Sequence, residues 1–191
     1  MSRISDKRKI ILRVASRLFA DRGFTDVTMD DIAHACNFSK GTLYNYFRNK
    51  NDLICTLFEH NINEMKKLLD VDPDELDNVT DFIHKLFYDT LTMMTTVKRP
   101  FFQTSLPSIS NDLKMEIHKR VLGLLQEVKV ILSAIFQKGV DNGEFKAYQA
   151  EALAHFFMGM MFYAGHNPDN YISDYNQLLE IFFYGIKKPK G

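Results

Sequence analysis

The sequence predicts an all-α protein with a small basic head at its N-terminus and a larger acidic helical body. Three observations lead there. Apolar residues recur at intervals of three and four through most of the 191-residue chain, the spacing of one face of a helix. No stretch alternates Val, Ile or Thr with polar residues as a half-buried strand does. Each apolar run is bounded by residues suited to starting or stopping a helix.

Over residues 5–22, Ile11, Val14, Ala15, Leu18 and Phe19 share a face, and Gly23 stands where a C-terminal cap belongs. A second helix opens at Thr28, a good N-cap, with Asp31 at the third position completing a shortened capping box. Asp30 and Asp31 also suit the helix dipole. That helix reaches only about Cys36, because Asn37 tolerates the left-handed backbone of a tight turn. Phe38 is an apolar plug in the turn. Ser39 caps another short helix over residues 40–47, and Asn49 with Asp52 caps a longer one reaching about Leu69.

After Asp70-Val71-Asp72-Pro73 the pattern resumes. Val79, Phe82, Ile83, Leu86, Phe87, Met93, Met94 and Val97 mark one long face. Pro100 and Pro107 bracket a break at residues 101–105. A helix over about residues 111–140 carries Ile117, Val121, Leu124, Val128, Ile131 and Ile135, and Asp141-Asn142-Gly143 ends it. Residues 149–165 are apolar nearly all round. Residues 174–188 carry Tyr175, Leu178, Leu179, Phe182, Phe183 and Ile186 as one stripe.

Composition sets the limits. Hydrophobic residues make up 46 % and charged residues 25 %, which excludes a disordered or fibrous chain. The 24 basic and 24 acidic side chains cancel, yet they are unevenly placed. Residues 1–50 hold ten Lys or Arg against five Asp or Glu, a net of +5; residues 51–191 hold 14 against 19, a net of −5. A basic head on an acidic body points the head at a polyanion. The first residues lead into no apolar core, so no signal peptide is expected. The most apolar stretch, residues 152–164, contains His155 and is too short to span a bilayer, so no membrane partner is expected. Cys36 and Cys55 alone make no disulfide framework, which suits a reducing cytoplasm. Two domains are expected, 1–50 and 51–191, dividing inside the helix that starts near Lys50.

The chemistry concentrates in residues 28–50. Two short helices joined by Asn37-Phe38-Ser39 form a helix-turn-helix. Small Ala33 lets the helices cross closely, and Ile32, Phe38 and Leu43, helped by Leu18 and Phe19, make a core between them. Lys40, Gly41, Thr42, Tyr44, Asn45 and Tyr46 are then mostly outward. Lys40 and the N–H groups at that helix start can approach phosphates. Gly41 lets a duplex come near. Thr42 can meet a thymine methyl or a base edge, and Asn45 can pair with adenine. Tyr46 and Lys50 can hold phosphates at the edge of the footprint.

The stretch from Thr28-Met29-Asp30-Asp31-Ile32-Ala33 through Asn37-Phe38-Ser39-Lys40-Gly41-Thr42-Leu43-Tyr44-Asn45-Tyr46-Phe47 to Lys50, Asp52 and Leu53 resembles the tetracycline-repressor (TetR) family of bacterial transcription regulators. Upstream Ala15, Phe19, Gly23 and Phe24 match its pattern too. The resemblance covers about the first quarter of the chain; the body matches in helix number and length. Asn37-Phe38 departs from the family's usual Gly and aliphatic residue. The resemblance implies about nine helices, a three-helix DNA-reading head and a C-terminal body that dimerises and binds ligand. It implies DNA contact by Thr28, Ser39, Lys40, Gly41, Thr42, Tyr44, Asn45, Tyr46 and Lys50.

Other chemistry has little support. His34 and Cys36 lie two apart on a short helix, with no second pair to complete a zinc site; core filling is the simpler role for them and for Cys55. His118, His155 and His166 are scattered. There is no phosphate loop, dinucleotide fingerprint or serine elbow. No catalytic residue, metal or cofactor is therefore expected, and the chain is not expected to be an enzyme.

The body is rich in Met and aromatic side chains, which line permissive apolar pockets as well as ordinary cores. A pocket is expected in the region of Phe58, Met65, Phe87, Tyr88, Met94, Phe102, His118 and Gln126, with Tyr88, His118 and Gln126 as polar contacts. Few buried charges are visible, which favours an apolar or aromatic ligand. A subunit interface is expected from Phe156, Gly159, Met160, Leu178, Leu179, Phe182, Phe183 and Ile186, forming a four-helix bundle from two copies; the alternative is burial wholly inside one subunit, and the family resemblance favours the dimer. The leading expectation is a homodimeric repressor that binds a pseudo-palindromic double-stranded operator and is released by a small effector. The alternatives are a helical DNA-binding protein without an effector and an enzyme using the body pocket.

Overall fold

In the computed structural model, residues 3–93, 109–166 and 172–187 are described. Among them are eight α-helices and no β-strand. They are α1 (Arg3–Asp26), α2 (Met29–Ala35), α3 (Lys40–Tyr44), α4 (Lys50–Lys67), α5 (Val79–Thr92), α6 (Asn111–Asp141), α7 (Ala150–His166) and α8 (Ile172–Ile186). A 3-10 turn, Pro73–Glu75, precedes α5. The expected continuation of α5 through Met94 and Val97, and the break at residues 101–105, lie outside the described residues.

The chain divides into two compact units, Met1–Ile62 with Lys98–Leu122, and Asn63–Val97 with Gly123–Gly191. The sequence suggested a boundary at residue 50; contacts instead group most of α4 and the start of α6 with the head. The reason is burial. Residues 53–58 of α4 are all buried, so this segment is core on every side.

In unit 1, the core gathers Ile11, Leu12, Ala15, Phe19, Phe24, Val27, Ile32, Leu43, Phe47, Leu53 and Leu57. Phe38, expected among them, is only half-buried, and the Lys7 ammonium lies 5.5 Å from its ring centre. Fully buried Phe47 is the aromatic of this core that the spacing did not single out. Gly23 takes φ 82°, which breaks α1 near its end. The start of α6 contributes Leu113, Ile117 and Val121, one buried row at four-residue spacing.

In unit 2, α5 packs on α7 and an aromatic cluster fills the interior. Phe136 meets Phe145, Phe157 and Phe182 at 5.8–6.0 Å between ring centres, a spacing that adds to the area term. Gly139 is required here by close approach: a Cβ would lie 2.3 Å from the Phe145 ring. The 143–146 turn is tied to the end of α8, with the Lys146 amide donating to Ile186 O at 2.6 Å.

Glu144 closes the N-terminus of α5. Its carboxylate accepts the Val79 and Thr80 amides at 3.0 and 2.9 Å and the Thr80 hydroxyl at 2.8 Å. Burial opposes its ionisation, but these donors outweigh burial and hold the carboxyl below the ordinary 4.5. A depressed carboxyl stabilises the fold above its unfolded-state value, and that stabilisation is lost as pH falls through the lower folded-state value. Glu144→Gln is therefore expected to lower the melting temperature near pH 7 by roughly 2–4 °C, the scale of about 1 kcal/mol lost in a chain of this size. The difference from wild type should shrink below about pH 4. An equal difference at pH 7 and pH 3.5 would show that charge at residue 144 is not the cause.

Candidate nucleic-acid interface and the surfaces of the body

Three successive caps build the head from residues 28–52. Thr28 and Asp31 satisfy each other's amides, Thr28 N to Asp31 Oδ2 at 2.8 Å and Asp31 N to Thr28 Oγ1 at 3.1 Å. Ser39 Oγ accepts the Thr42 amide at 3.2 Å and lies 2.8 Å from Thr42 Oγ1. Asn49 Oδ1 accepts the Asp52 amide at 2.8 Å, and Asp52 Oδ2 accepts the Arg48 amide at 3.0 Å. Each cap satisfies N–H groups that a helix start leaves open. Asn37 between the first two adopts φ 54°, the backbone that its side chain tolerates better than most.

With Leu43 buried at 0 % exposure, the rest of α3 has a defined outer face. Lys40, Gly41, Tyr44 and Asn45 are exposed, and Thr42 and Tyr46 are half-buried. A Cβ at Gly41 would meet nothing within 4 Å, so the backbone there is open to close approach. Thr28 and Ser39 are exposed, with hydroxyls already engaged as caps.

The cations are not all free. Lys40 Nζ donates to Asp30 Oδ2 at 2.7 Å, and that bond raises its pKa. Both partners are well exposed, so this pair is weakly held and open to exchange with a phosphate. Lys50 differs: its Nζ donates to Thr25 O at 3.2 Å, and burial lowers its pKa. It braces the end of α1 rather than extending into solvent. Two cations that the spacing did not single out stand beside the motif. Lys7 lies over the Phe38 ring at 5.5 Å and Arg8 over the Phe47 ring at 5.6 Å, beside residues that flank α3. The basic run at residues 7–9 was their only signal in the sequence.

The other candidates separate on burial. Cys36 and Cys55 are buried thiols; burial raises both pKa values, Cys55 to about 11, which leaves them protonated and inert. His34 is exposed rather than core-filling. Among the described residues no cluster of His, Cys, Asp or Glu is arranged to hold a metal, and no helix is long and apolar enough to cross a membrane.

Of the expected pocket residues, Met94 and Phe102 lie outside the described residues. Phe58 and His118 belong to unit 1; Met65, Phe87, Tyr88 and Gln126 belong to unit 2. Phe58 and Phe87 are buried, Met65 is half-buried, and His118 and Gln126 are exposed. Tyr88 is also exposed and donates its hydroxyl to Asn176 Oδ1. Neither unit by itself gathers them into one lining. Asn61, not anticipated, is 2 % exposed, and its Nδ2 is buried without a hydrogen-bond partner.

The expected subunit interface also divides. Leu179, Phe182, Phe183, Ile186 and Met160 are buried within unit 2 itself, and Leu178 is half-buried. Their apolar stripe packs against Phe136, Phe145 and Phe157 of the same chain. Phe156 and Gly159 are exposed, and a Cβ at Gly159 would meet nothing within 4 Å. Other large apolar residues of α7 and α8 are exposed as well. Phe156, Phe162, Ile181 and Tyr184 are 63, 60, 67 and 89 % exposed. Of the expected interface residues, Phe156 and Gly159 thus remain at the surface while most of the stripe is covered within the chain.

Residues 11–55 match the family described as bacterial regulatory proteins, tetR family. The chain is 27 % identical over 153 residues to an uncharacterized HTH-type transcriptional regulator, YhgD, of Bacillus subtilis (strain 168), covering 78 % of this chain and 77 % of that protein. It is 22 % identical over 136 residues to the fatty acid metabolism regulator protein of the same organism, covering 71 % and 69 %. Its fold is similar to that of reduced NemR of E. coli, with a TM-score of 0.72, 20 % identity and coverage of 97 % and 100 %. It is also similar to AibR in complex with isovaleryl coenzyme A and operator DNA, with a TM-score of 0.64, 19 % identity and coverage of 93 % and 96 %.

The burial pattern separates two substitutions on neighbouring helices. Phe182→Glu places a carboxylate in the aromatic cluster and is expected to destabilise unit 2 by about 3–5 kcal/mol. Phe156→Glu changes a ring that is 63 % exposed and should leave the fold of the chain intact. Far-UV circular dichroism of both variants decides it; a folded Phe182→Glu beside an unfolded Phe156→Glu would reverse the assignment.

Proposed function

The chain belongs to the tetR family of bacterial regulatory proteins, and from that premise we propose a homodimeric transcriptional repressor. It binds a pseudo-palindromic operator and releases it when a small apolar or aromatic molecule occupies the body. The observation that carries the DNA-binding part is the outer face of α3, where Lys40, Gly41, Tyr44 and Asn45 are exposed beside two capped helix starts. Such a helix enters the major groove while its flanks hold phosphates.

Within this reading Thr42 and Asn45 meet base edges, and Lys40 and Tyr46 meet the backbone. Tyr44 lies along the groove and Gly41 admits the duplex. Thr28 and Ser39 act first as caps and present their hydroxyls at the same surface. Lys50 supports the footprint from behind by fixing α1 to α4. Lys7 and Arg8 add phosphate contacts at its two ends. The outer face of α7 and α8 meets a second copy, which sets the distance between two recognition helices. Work on DNA places the protein in the bacterial cytoplasm. No catalytic step is assigned, in keeping with relatives that are transcriptional regulators.

The effector part rests on the apolar, Met- and Phe-rich body and on the company the fold keeps. The architecture of AibR, shared here at the level of fold, accommodates isovaleryl coenzyme A and operator DNA in one complex. One protein of this fold thus binds both an acyl coenzyme A and operator DNA.

Selecting bound fragments from genomic DNA tests the reading, and inverted repeats are the expected product. Lys40→Ala should weaken binding to all sequences and reduce the salt slope by about one counterion. Thr42→Ala or Asn45→Ala should alter base preference at a few positions, by about 1–3 kcal/mol of discrimination. Unchanged affinity and preference in both Lys40→Ala and Thr42→Ala would remove the DNA assignment.

Phe156→Glu should sediment as a monomer and lose operator affinity far more than half-site affinity. A Phe156→Glu dimer with intact operator binding would place the interface elsewhere. Apolar compounds that raise the melting temperature should weaken operator binding about 5- to 150-fold, the usual range of such coupling. Ligands that stabilise the protein and leave DNA affinity untouched would contradict the effector role.

A further inference from the structure

An ionic network of unit 1 lies outside residues 28–50 and joins α6 to α4. Arg120 of α6 places its guanidinium along one face of α4. Nε and Nη2 donate to the two oxygens of Glu59 at 2.7 and 2.9 Å, Nη2 also reaches Thr56 Oγ1 at 3.3 Å, and Nη1 donates to Asp52 Oδ1 at 3.0 Å. The three charged side chains are 25, 27 and 15 % exposed for Arg120, Glu59 and Asp52. One cation therefore spans two acids seven residues apart, about 10 Å along the helix, a task that the planar fork of arginine performs and a lysine does not.

Asp52 has a second duty. Its other oxygen, Oδ2, accepts the Arg48 amide at 3.0 Å. Its own amide donates to Asn49 Oδ1 at 2.8 Å. One carboxylate thus belongs at once to the cap that starts α4 and to the clamp that holds α6. The capped residues, Arg48 and Asn49, lie between the end of α3 and the start of α4.

We propose that Arg120 is a positioning residue that couples α6 to the helix-turn-helix through Asp52, and so sets how firmly α3 is seated for DNA. This rests on the DNA-binding reading above and names a means of regulating that site. The two ends of the clamp are unequal. The Glu59 end is bidentate and the Asp52 end is a single bond, so a shift of α6 parts Asp52 first. Asp52 then carries a mostly buried charge balanced only by the exposed Arg48 guanidinium. It lowers that cost by turning toward water or toward the Arg48 guanidinium, whose Nε is 3.7 Å away. Either turn loosens its bond to the Arg48 amide. The α3–α4 joint slackens although no DNA-facing side chain has been touched.

The test uses the full chain and the operator that it selects from genomic DNA. Arg120→Met is expected to bind that operator about tenfold more weakly, with an unchanged salt slope, because no phosphate contact is removed. Amide exchange at Arg48 in the DNA-free protein should quicken about tenfold. Arg120→Lys, with charge but no fork, should fall between wild type and Arg120→Met on both readouts. Asp52→Asn should reproduce both effects, and the double variant should be no worse than either alone. It is the variant to rely on if Arg120→Met does not fold.

A purely structural Arg120 would lower the melting temperature and leave operator affinity and Arg48 exchange as in wild type, and that result overturns the proposal. Additive effects of Arg120→Met and Asp52→Asn overturn it too. If the wild-type chain selects no DNA, the functional reading fails on its own, and the exchange measurement still decides whether Arg120 controls the cap.

Discussion

The head depends on α4 being buried on every side between residues 53 and 58. A helix with no solvent-facing side in this stretch cannot be an edge of its unit; other elements must pack around it. Phe19, Ile32, Leu43 and Phe47 of the same unit are buried too, as are Leu113, Ile117 and Val121 at the start of α6. A helix-turn-helix of two short helices has little core of its own. α3 packs on α2 and α2 on α1, and the buried segment of α4 belongs to the same unit.

Local polar chemistry then sets the register. Three caps in 25 residues, at Thr28, Ser39 and Asn49, determine where each helix begins. Asn37 supplies the one left-handed residue needed between α2 and α3. Capping leaves the outer face of α3 with few intramolecular obligations. Its cation, Lys40, is held only by an exposed partner. A surface whose polar groups are weakly committed to the protein is well suited to commitments elsewhere.

The body follows a different rule. Its interior is a continuous set of aromatic contacts from Phe136 and Phe145 through Phe157 to Phe182 and Phe183. Phe156 stacks on Phe182 at 5.8 Å from the outside, so the exposed apolar face continues the buried cluster.

The caps, the Asn37 turn and the starts of α2, α3 and α4 were legible in the sequence because they arise from groups within a few residues of one another. The outer face of α3 was legible for the same reason: once Leu43 points inward, the helical period assigns its neighbours. Helical spacing also marked α7 and α8 as too apolar for water, but it does not say whether the chain itself or a second copy covers a given side. The structure placed Leu179, Phe182 and Phe183 inside and left Phe156, Ile181 and Tyr184 outside. The spacing marks Lys50 as a phosphate ligand but does not show its bond to Thr25 O, 25 residues away. Arg120 had no signal at all. Its acids lie 61 and 68 residues earlier, and no periodicity links an arginine to carboxylates that only the packing of α6 on α4 brings within reach.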